Sequence, residues 1–432
     1  MPTGPTALER LTIAALVVGV LFGVERSWSL GQSVAGIDYY QFWAVGEAVE
    51  HEGVRDIYSD HERARMGALG IERASREAPE SRLAVVAPSR PVFETYSTPF
   101  LYTAMHWLAS GDYETDFTRW HALSLFSFVL GVVGICFALG VGLLPTLAGL
   151  AGLLFFFAPL QSETQVANVN NVQLGGLALG LVLLKRANTP VAQIGAAFVF
   201  AVVAMFKPNI AVGVLLLLAS VSIHRGPRAA IHLALGLAGG IAFAFATSSG
   251  FIGSASWLQW LATVQFIPPE IITVEMGNYA PLLFVFGEGA AGGTAILIAL
   301  LCAPLLFALW HRRGVEVESE VFLNQATLVG AGCAVFLLSA NLVWEHYFIL
   351  SVPLLLSTLC RALSSTSRSA RERLLDRTLP GIAFLGLMAT PTFALSSLPH
   401  EVYFPLMQGG GTLILYGLAV RQLLEPREEP VT

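Results

Sequence analysis

Residues 11–46 read LTIAALVVGVLFGVERSWSLGQSVAGIDYYQFWAVG, and the rest of the chain is organised around this stretch. An apolar run from Leu11 to Val24 is followed by a polar region in which Asp38 is the first carboxylate after the run's flanking Glu25. The run predicts a first transmembrane helix near residues 11–29. We expect it to be retained, because no convincing small-residue cleavage site follows it. Asp38 is therefore expected at the membrane surface, near the start of a large hydrophilic loop.

The composition of the whole chain extends this interpretation. Of its 432 residues, 55% are hydrophobic and 12% are charged, and the mean hydropathy is +0.66. A soluble domain carries more charge, so the sequence predicts an all-α polytopic membrane protein with one integral membrane domain over residues 1–432. The net charge of −6 gives no indication of nucleic-acid binding. The four cysteines lack metal or disulfide spacing and are interpreted as small hydrophobic residues.

Apolar runs predict about 12 transmembrane helices. They lie near residues 11–29, 119–142, 145–160, 168–185, 191–206, 209–223, 229–248, 290–310, 321–339, 346–363, 379–397 and 402–420. The run at 99–109 is too short to cross alone and is interpreted as an interfacial or re-entrant helix.

Two large extracytoplasmic loops follow from this assignment. Residues 31–118 form the first, with juxtamembrane helices that include a plausible amphipathic helix from Tyr40 to His51 and a turn at Gly53. Residues 249–289 form the second. Its aromatic residues and prolines suit an interfacial helix or a lid over a site; they are Trp257, Trp260, Phe266, Pro268 and Pro269.

The distribution of lysine and arginine predicts which side each loop faces. With a cytoplasmic N-terminus, the inner segments receive Arg10, Lys185, Arg186, Arg225, Arg228, Arg312, Arg313, Arg361, Arg368, Arg371, Arg373, Arg377, Arg421 and Arg427. The outer loops near 161–167, 249–289, 340–345 and 398–401 contain neither residue type. A full span at 99–109 would invert every later loop and reverse this bias. The acidic pI of about 5.9 and the abundance of Ala, Leu, Gly and Arg indicate a bacterial inner membrane.

Polar residues at the span ends fall on the predicted extracytoplasmic face. They are Asp38, Asn168 to Asn171, Lys207, Asn278, Tyr279, His346 and Tyr347. Each has a plainer explanation: a solvated loop carboxylate for Asp38, helix capping or packing for the asparagines, snorkelling for Lys207, and an interfacial position for His346. Their convergence on one face favours a site.

The chemistry of the individual residues suggests roles for them. Aromatic neighbours can partly desolvate Asp38 and keep it able to accept a proton. Lys207 is the only basic residue in a short outer loop, and it can offer a point charge to a phosphate. Arg82 and Arg90 in the first loop could also meet phosphate, although solvation is the simpler expectation for them. No second ligand lies at metal spacing from His346, so no metal is predicted, and a divalent cation is unsupported.

The ordered set of these features resembles the GT-C membrane glycosyltransferases, and within them the family 87 group that includes polyprenyl-phosphate-mannose-dependent α-1,2-mannosyltransferases. The resemblance is carried by Asp38 with Gly53 and Tyr58 behind it, Tyr96 to Leu101, Asn168-Val169-Asn170, Lys207-Pro208, Asn278 and His346-Tyr347. The chain differs from the family pattern at Asn168 and at Ser97-Thr98-Pro99.

The resemblance implies an inverting transfer of a hexose, expected to be mannose, from a polyprenyl-phosphate donor to a lipid or glycan acceptor at the extracytoplasmic face. Asp38 would be the general base, and Lys207 and His346 would lie near the donor phosphate. Substrate-binding positions would be Tyr39, Asn168, Asn170, Asn278 and Tyr347. No cofactor is expected; the expected partners are the donor, the acceptor and membrane lipids. A transporter or flippase of lipid-linked saccharides and a non-catalytic scaffold remain the alternatives.

Overall fold

The computed structural model describes residues 6–186, 189–265, 267–268, 278–281, 293–313, 317–364, 370–388 and 400–425. Within these ranges the regular structure is helical, and the one β feature is an isolated antiparallel bridge between Asn278 and Trp344. The predicted all-α class is confirmed.

The helices follow one another with short connections. The first half contains α1 Ala7–Gln32, α2 Ile37–His51, α3 Asp60–Ala74, α4 Arg82–Val86, α5 Pro99–Leu108, α6 Tyr113–Leu139, α7 Leu143–Phe156, α8 Ala158–Val166, α9 Asn170–Lys185 and α10 Pro190–Ala204. The second half contains α11 Ala211–His224, α12 Gly226–Phe251, α13 Ser256–Gln265, α14 Thr294–His311, α15 Glu318–Ser339, α16 Val352–Ser364, α17 Ala370–Leu387 and α18 His400–Leu424. Short 3₁₀ turns occur at Ala87–Ser89, Pro208–Ile210 and Glu345–Ser351.

The described helices include six that are long and apolar enough to cross a membrane. These are Ala7–Gln32, Tyr113–Leu139, Gly226–Phe251, Thr294–His311, Glu318–Ser339 and Glu345–Leu363. The pair α7 and α8, bent by 60° at its junction, is a seventh candidate. The chain is therefore a multi-pass membrane protein. Helix α9 has 16 residues and spans only about 24 Å, so length and composition alone do not assign all the predicted apolar runs as spans.

The first loop folds into a small helical body with its own hydrophobic core. Helix α2 lies at the centre of this body, and every residue from Tyr39 to Val49 is buried. The expected amphipathic helix is present, but it begins at Ile37 and is covered on all faces instead of lying with one face in water. Aromatic rings contribute to the burial of α2, because Tyr39 packs against Tyr113, Phe117 and Trp120.

The short helix predicted at 99–109 is present as α5. Pro99 occupies its first turn, and the Thr98 side chain caps it by accepting a hydrogen bond from the Leu101 amide. Phe100 stacks on Phe206 at 5.3 Å and meets Phe243 of α12 edge-on. Helix α5 therefore joins the loop body to the membrane helices.

The described part of the second loop contains helix α13. The Trp257 indole donates to Ser248 Oγ at 2.9 Å, and the Trp260 indole donates to the Tyr96 carbonyl at 3.0 Å. Helix α13 is thereby fixed against the first loop. Phe266 and Pro269, which were also expected to contribute, lie outside the described residues.

Helix α6 connects the loop body to the opposite end of the bundle. Helix α6 has 27 residues and is about 40 Å long. The loop body packs at its N-terminal end. At its C-terminal end, Lys185 Nζ donates to the Phe137 carbonyl, and the Cys360 thiol contacts the Leu139 carbonyl. Lys185, from a predicted inner loop, thus lies at the end of α6 opposite the loop body.

Gly36 is the glycine on which the position of Asp38 depends most. Its φ is +70°, and a Cβ built there would lie 2.1 Å from a ring atom of Phe117. We expect Gly36→Ala to lower the free energy of unfolding by about 3 kcal/mol or more, because backbone strain and overpacking add. Gly53→Ala is the control: its φ is +65°, but no atom lies within 4 Å, so only about 1–2 kcal/mol of strain is expected. Thermal unfolding in detergent measures both. Equal losses would show that the contact with Phe117 is unimportant.

Candidate active site

The first turn of α2 presents Asp38 toward the membrane helices. Gly36 starts the helix in a left-handed conformation, and the Tyr113 hydroxyl donates to the Ala35 carbonyl at 2.6 Å. A carboxylate in a first turn also faces the partial positive charge of the helix N-terminus. Local structure therefore fixes the position of this acid.

The two oxygens of Asp38 have different surroundings. Oδ2 accepts a hydrogen bond from Asn168 Nδ2 at 2.5 Å, and His346 Nε2 lies 3.7 Å from it. Oδ1 lies 3.9 Å from Arg90 Nη2 and accepts no hydrogen bond from a described residue. One oxygen is held by the protein, and the other is available to a ligand.

Asn168 connects the carboxylate to a cation. Its Oδ1 accepts a hydrogen bond from Lys207 Nζ at 2.9 Å, while its Nδ2 donates to Asp38. The preceding residue, Ala167, has φ +57°, which is uncommon for a residue other than glycine. The Trp120 indole donates to its carbonyl at 3.0 Å and helps to hold this conformation. Such local strain is frequent at functional sites.

Lys207 faces aromatic rings rather than a carboxylate. Its Nζ donates to the Tyr347 hydroxyl at 3.3 Å and lies 4.9 Å from the centre of the Tyr347 ring and 5.9 Å from that of Phe42. Among the described residues, no carboxylate lies within 4.0 Å of this ammonium group. An ammonium group in this setting retains its capacity to bind an anion.

A buried network of amide side chains holds the backbone of Lys207 in place. Gln173 Nε2 donates to the Lys207 carbonyl at 3.0 Å and to Asn209 Oδ1 at 2.8 Å. Asn209 in turn donates to Asn170, whose own amide donates to Glu163 at 2.9 Å. Buried polar groups that satisfy one another in this way specify a single arrangement. The network fixes the backbone from which the lysine projects.

The sequence-predicted residues divide into two groups. Asp38, Asn168, Lys207 and Tyr347 line one cavity of about 280 Å³, and His346 lies beside it, buried and in reach of Asp38. The cavity is also lined by Gln41, Phe42, Glu94, Tyr96, Ser97, Pro208, Asn209, Trp260, Val264, Ile267, Phe336, Ala340, Asn341, Leu342 and Trp344.

Tyr39, Asn170 and Asn278 do not line this cavity. Tyr39 is 1% exposed and lies in the aromatic core of the loop body, and Asn170 belongs to the amide network. Asn278 donates to the Asn341 carbonyl at 2.8 Å and accepts from the Val343 amide at 2.9 Å. All three residues stabilise the structure around the site, and we assign them no contact with a ligand.

Two residues of the cavity wall, Gln41 and Glu94, and the neighbouring Arg90 carry weight that the sequence analysis did not give them. Arg90, expected to be solvated, is 18% exposed at its side chain and lies between Asp38 and Glu94. Gln41 Oε1 accepts from the Glu94 amide at 2.7 Å. Its spacing from Asp38 on α2 is a usable signal, since residues i and i+3 share a helix face. Arg82, by contrast, pairs with Glu114 and does not line the cavity.

Tyr96 contributes a neutral hydroxyl to the cavity wall. Burial raises the pKa of Tyr96 above its usual value, so the phenol stays protonated at physiological pH. Arg63 donates to this hydroxyl at 3.2 Å, and its guanidinium lies over the ring. The wall therefore combines aromatic surface with fixed polar groups, as sites for small hydroxylated ligands commonly do.

Residues of metal-ligand type occur together elsewhere on α2. In the part of the chain that the structure describes, Glu47, Glu50 and His51 form such a group, and Glu47 is paired with Arg73 at 2.6 Å. They do not line the cavity that contains Asp38. We therefore assign no role to a metal ion in the chemistry of the cavity.

Comparisons of the chain with protein-family models, with curated proteins and with solved structures find no match.

Proposed function

We propose that the protein is a membrane glycosyltransferase that moves a hexose, mannose in our assignment, from a polyprenyl-phosphate donor to a hydroxyl of a lipid or glycan. The observation that carries the proposal is one cavity in which Asn168 connects a carboxylate to an ammonium group. The carboxylate has an open oxygen, and the ammonium group has no carboxylate partner among the described residues. Such a pair is the minimum that this displacement requires.

The reaction proceeds in one step with inversion. The acceptor hydroxyl gives its proton to Asp38 Oδ1 as its oxygen forms a bond to the anomeric carbon. The bond between that carbon and the phosphate oxygen breaks, and its electron pair leaves with the polyprenyl phosphate. Lys207 stabilises the charge that grows on this leaving group, and Tyr347 and Asn168 orient the ammonium. His346 Nε2 lies 3.7 Å from Asp38 Oδ2, too far for a hydrogen bond, and we assign it the role that the resemblance implies, near the donor phosphate.

The proposal includes a GT-C type architecture with about 12 spans and a site on the extracytoplasmic side of a bacterial inner membrane. It is supported by the position of Lys185, a residue of a predicted inner loop, at the end of the bundle opposite the cavity. A donor carried by a lipid suits that side, because nucleotide sugars are cytosolic.

The test compares donors in membranes that contain the protein. We expect labelled sugar to pass from polyprenyl-phosphate hexose to acceptor, with no transfer from nucleotide sugars, and the product to have the anomeric configuration opposite to that of the donor. A product that retains the donor configuration would exclude the single displacement.

Transport of lipid-linked saccharides is the second candidate. The observation that favours it is the fully buried Glu163 carboxylate between helices, since buried acids often serve proton-coupled carriers. Its hydrogen bonds to Asn170 and Asn171 are those of a structural group, which is why we rank transport second. Liposomes that translocate intact donor without cleaving it would reverse this order.

A further inference from the structure

Arg90 and Glu94 form an ion pair on the open side of Asp38. Arg90 Nη1 lies 2.9 Å from Glu94 Oε1, whereas Nη2 lies 3.9 Å from Asp38 Oδ1. The first contact is a close ion pair, and the second is a long ion pair that is too long for a hydrogen bond. Arg90 therefore stands near Asp38 without a hydrogen bond to it.

Glu94 is itself fixed in relation to Asp38. Its backbone amide donates to Gln41 Oε1 at 2.7 Å, and Gln41 lies one turn after Asp38 on α2. Arg90 has no comparable anchor apart from Glu94, since its Nε is buried without a hydrogen-bond partner among the described residues. The guanidinium thus lies between two carboxylates, of which Glu94 is the nearer by about 1 Å.

We propose that Glu94 is a positioning residue that holds Arg90 away from Asp38, so that Oδ1 stays open to the acceptor hydroxyl. This inference rests on the proposed function. A shift of about 1 Å would bring Nη2 within hydrogen-bond range of Oδ1. The guanidinium would then occupy the atom that must receive the proton.

The test compares the transfer activity of a single and a double variant. Glu94→Gln releases Arg90, and we expect kcat to fall about tenfold or more as the guanidinium occupies Oδ1. Arg90→Gln/Glu94→Gln removes the blocking group, and we expect it to be about fivefold or more faster than Glu94→Gln. A purely structural role would make the double variant the slower of the two.

Glu72→Gln and Arg76→Gln are the matched controls. These residues form another exposed ion pair four residues apart, with Glu72 in the last turn of α3 and Arg76 just after it, and neither lines the cavity. We expect their single and double variants to transfer at the wild-type rate. A double Arg90/Glu94 variant no faster than Glu94→Gln, or a Glu94→Gln variant at the wild-type rate, overturns the inference.

A structure of Glu94→Gln separates this inference from the proposed function. We expect Arg90 Nη2 to lie within about 3.2 Å of Asp38 Oδ1 in that variant. If the wild type transfers no sugar, the proposed function fails, and this distance still decides whether Glu94 positions Arg90. An unmoved guanidinium contradicts the inference whatever the activity.

Discussion

Asp38→Asn is expected to lower sugar transfer by about 10²- to 10⁴-fold. The substitution keeps the shape of the side chain and removes its capacity to accept a proton. Oδ2 already receives the Asn168 amide, so the open Oδ1 is the atom whose loss matters. Initial rates at saturating donor and acceptor measure the effect as a change in kcat.

Asp60→Asn is the control for this prediction. Asp60 begins α3 and its side chain is 99% exposed, so its carboxylate is solvated and its ion pair with the buried Arg63 contributes little. We expect wild-type transfer from it. If Asp38→Asn, folded and inserted as judged by its melting temperature, transferred at the wild-type rate, Asp38 would not be the base.

Lys207→Met is expected to lower kcat/KM by about 10²-fold or more, since it removes the charge facing the leaving phosphate. The hydrogen bonds that it loses, to Asn168 and Tyr347, contribute only about 1 kcal/mol each to stability. The melting temperature should therefore change little while transfer collapses. Lys207→Arg should keep part of the activity, because it keeps the charge but presents it in a planar fork.

The chain provides a matched control in Lys185, its other lysine, which lies at the opposite end of the bundle. Lys185→Met makes the same chemical change away from the cavity, and we expect transfer to remain at the wild-type rate. Equal losses in the two variants would mean that Lys207 acts through insertion or folding rather than at a phosphate.

The polar residues of the site could be identified from sequence because they interrupt apolar runs. Asp38, Asn168 and Lys207 are costly at a span end unless they are paired or functional, and the structure brings them together. Their order in the chain and the charge bias of the loops were enough to place them on one face. The all-α class followed from composition in the same way.

The direction of each side chain could not be predicted from the sequence. Asn168 and Asn170 are two residues apart in one polar cluster, yet one bonds to Asp38 and the other turns inward to Glu163. The left-handed conformation of Ala167 redirects the chain immediately before this cluster, and nothing in the sequence signals it. Glu94 was missed because an irregular loop has no periodicity from which a face can be read.

The most direct test uses purified wild-type protein in liposomes that contain labelled polyprenyl-phosphate mannose and an acceptor extract. Both expected reaction products, the mannosylated acceptor and the free polyprenyl phosphate, are measured over time. The account predicts that mannosylated acceptor and free polyprenyl phosphate appear together in equal amounts. Labelled donor that crosses the bilayer uncleaved, with neither product formed, would contradict it.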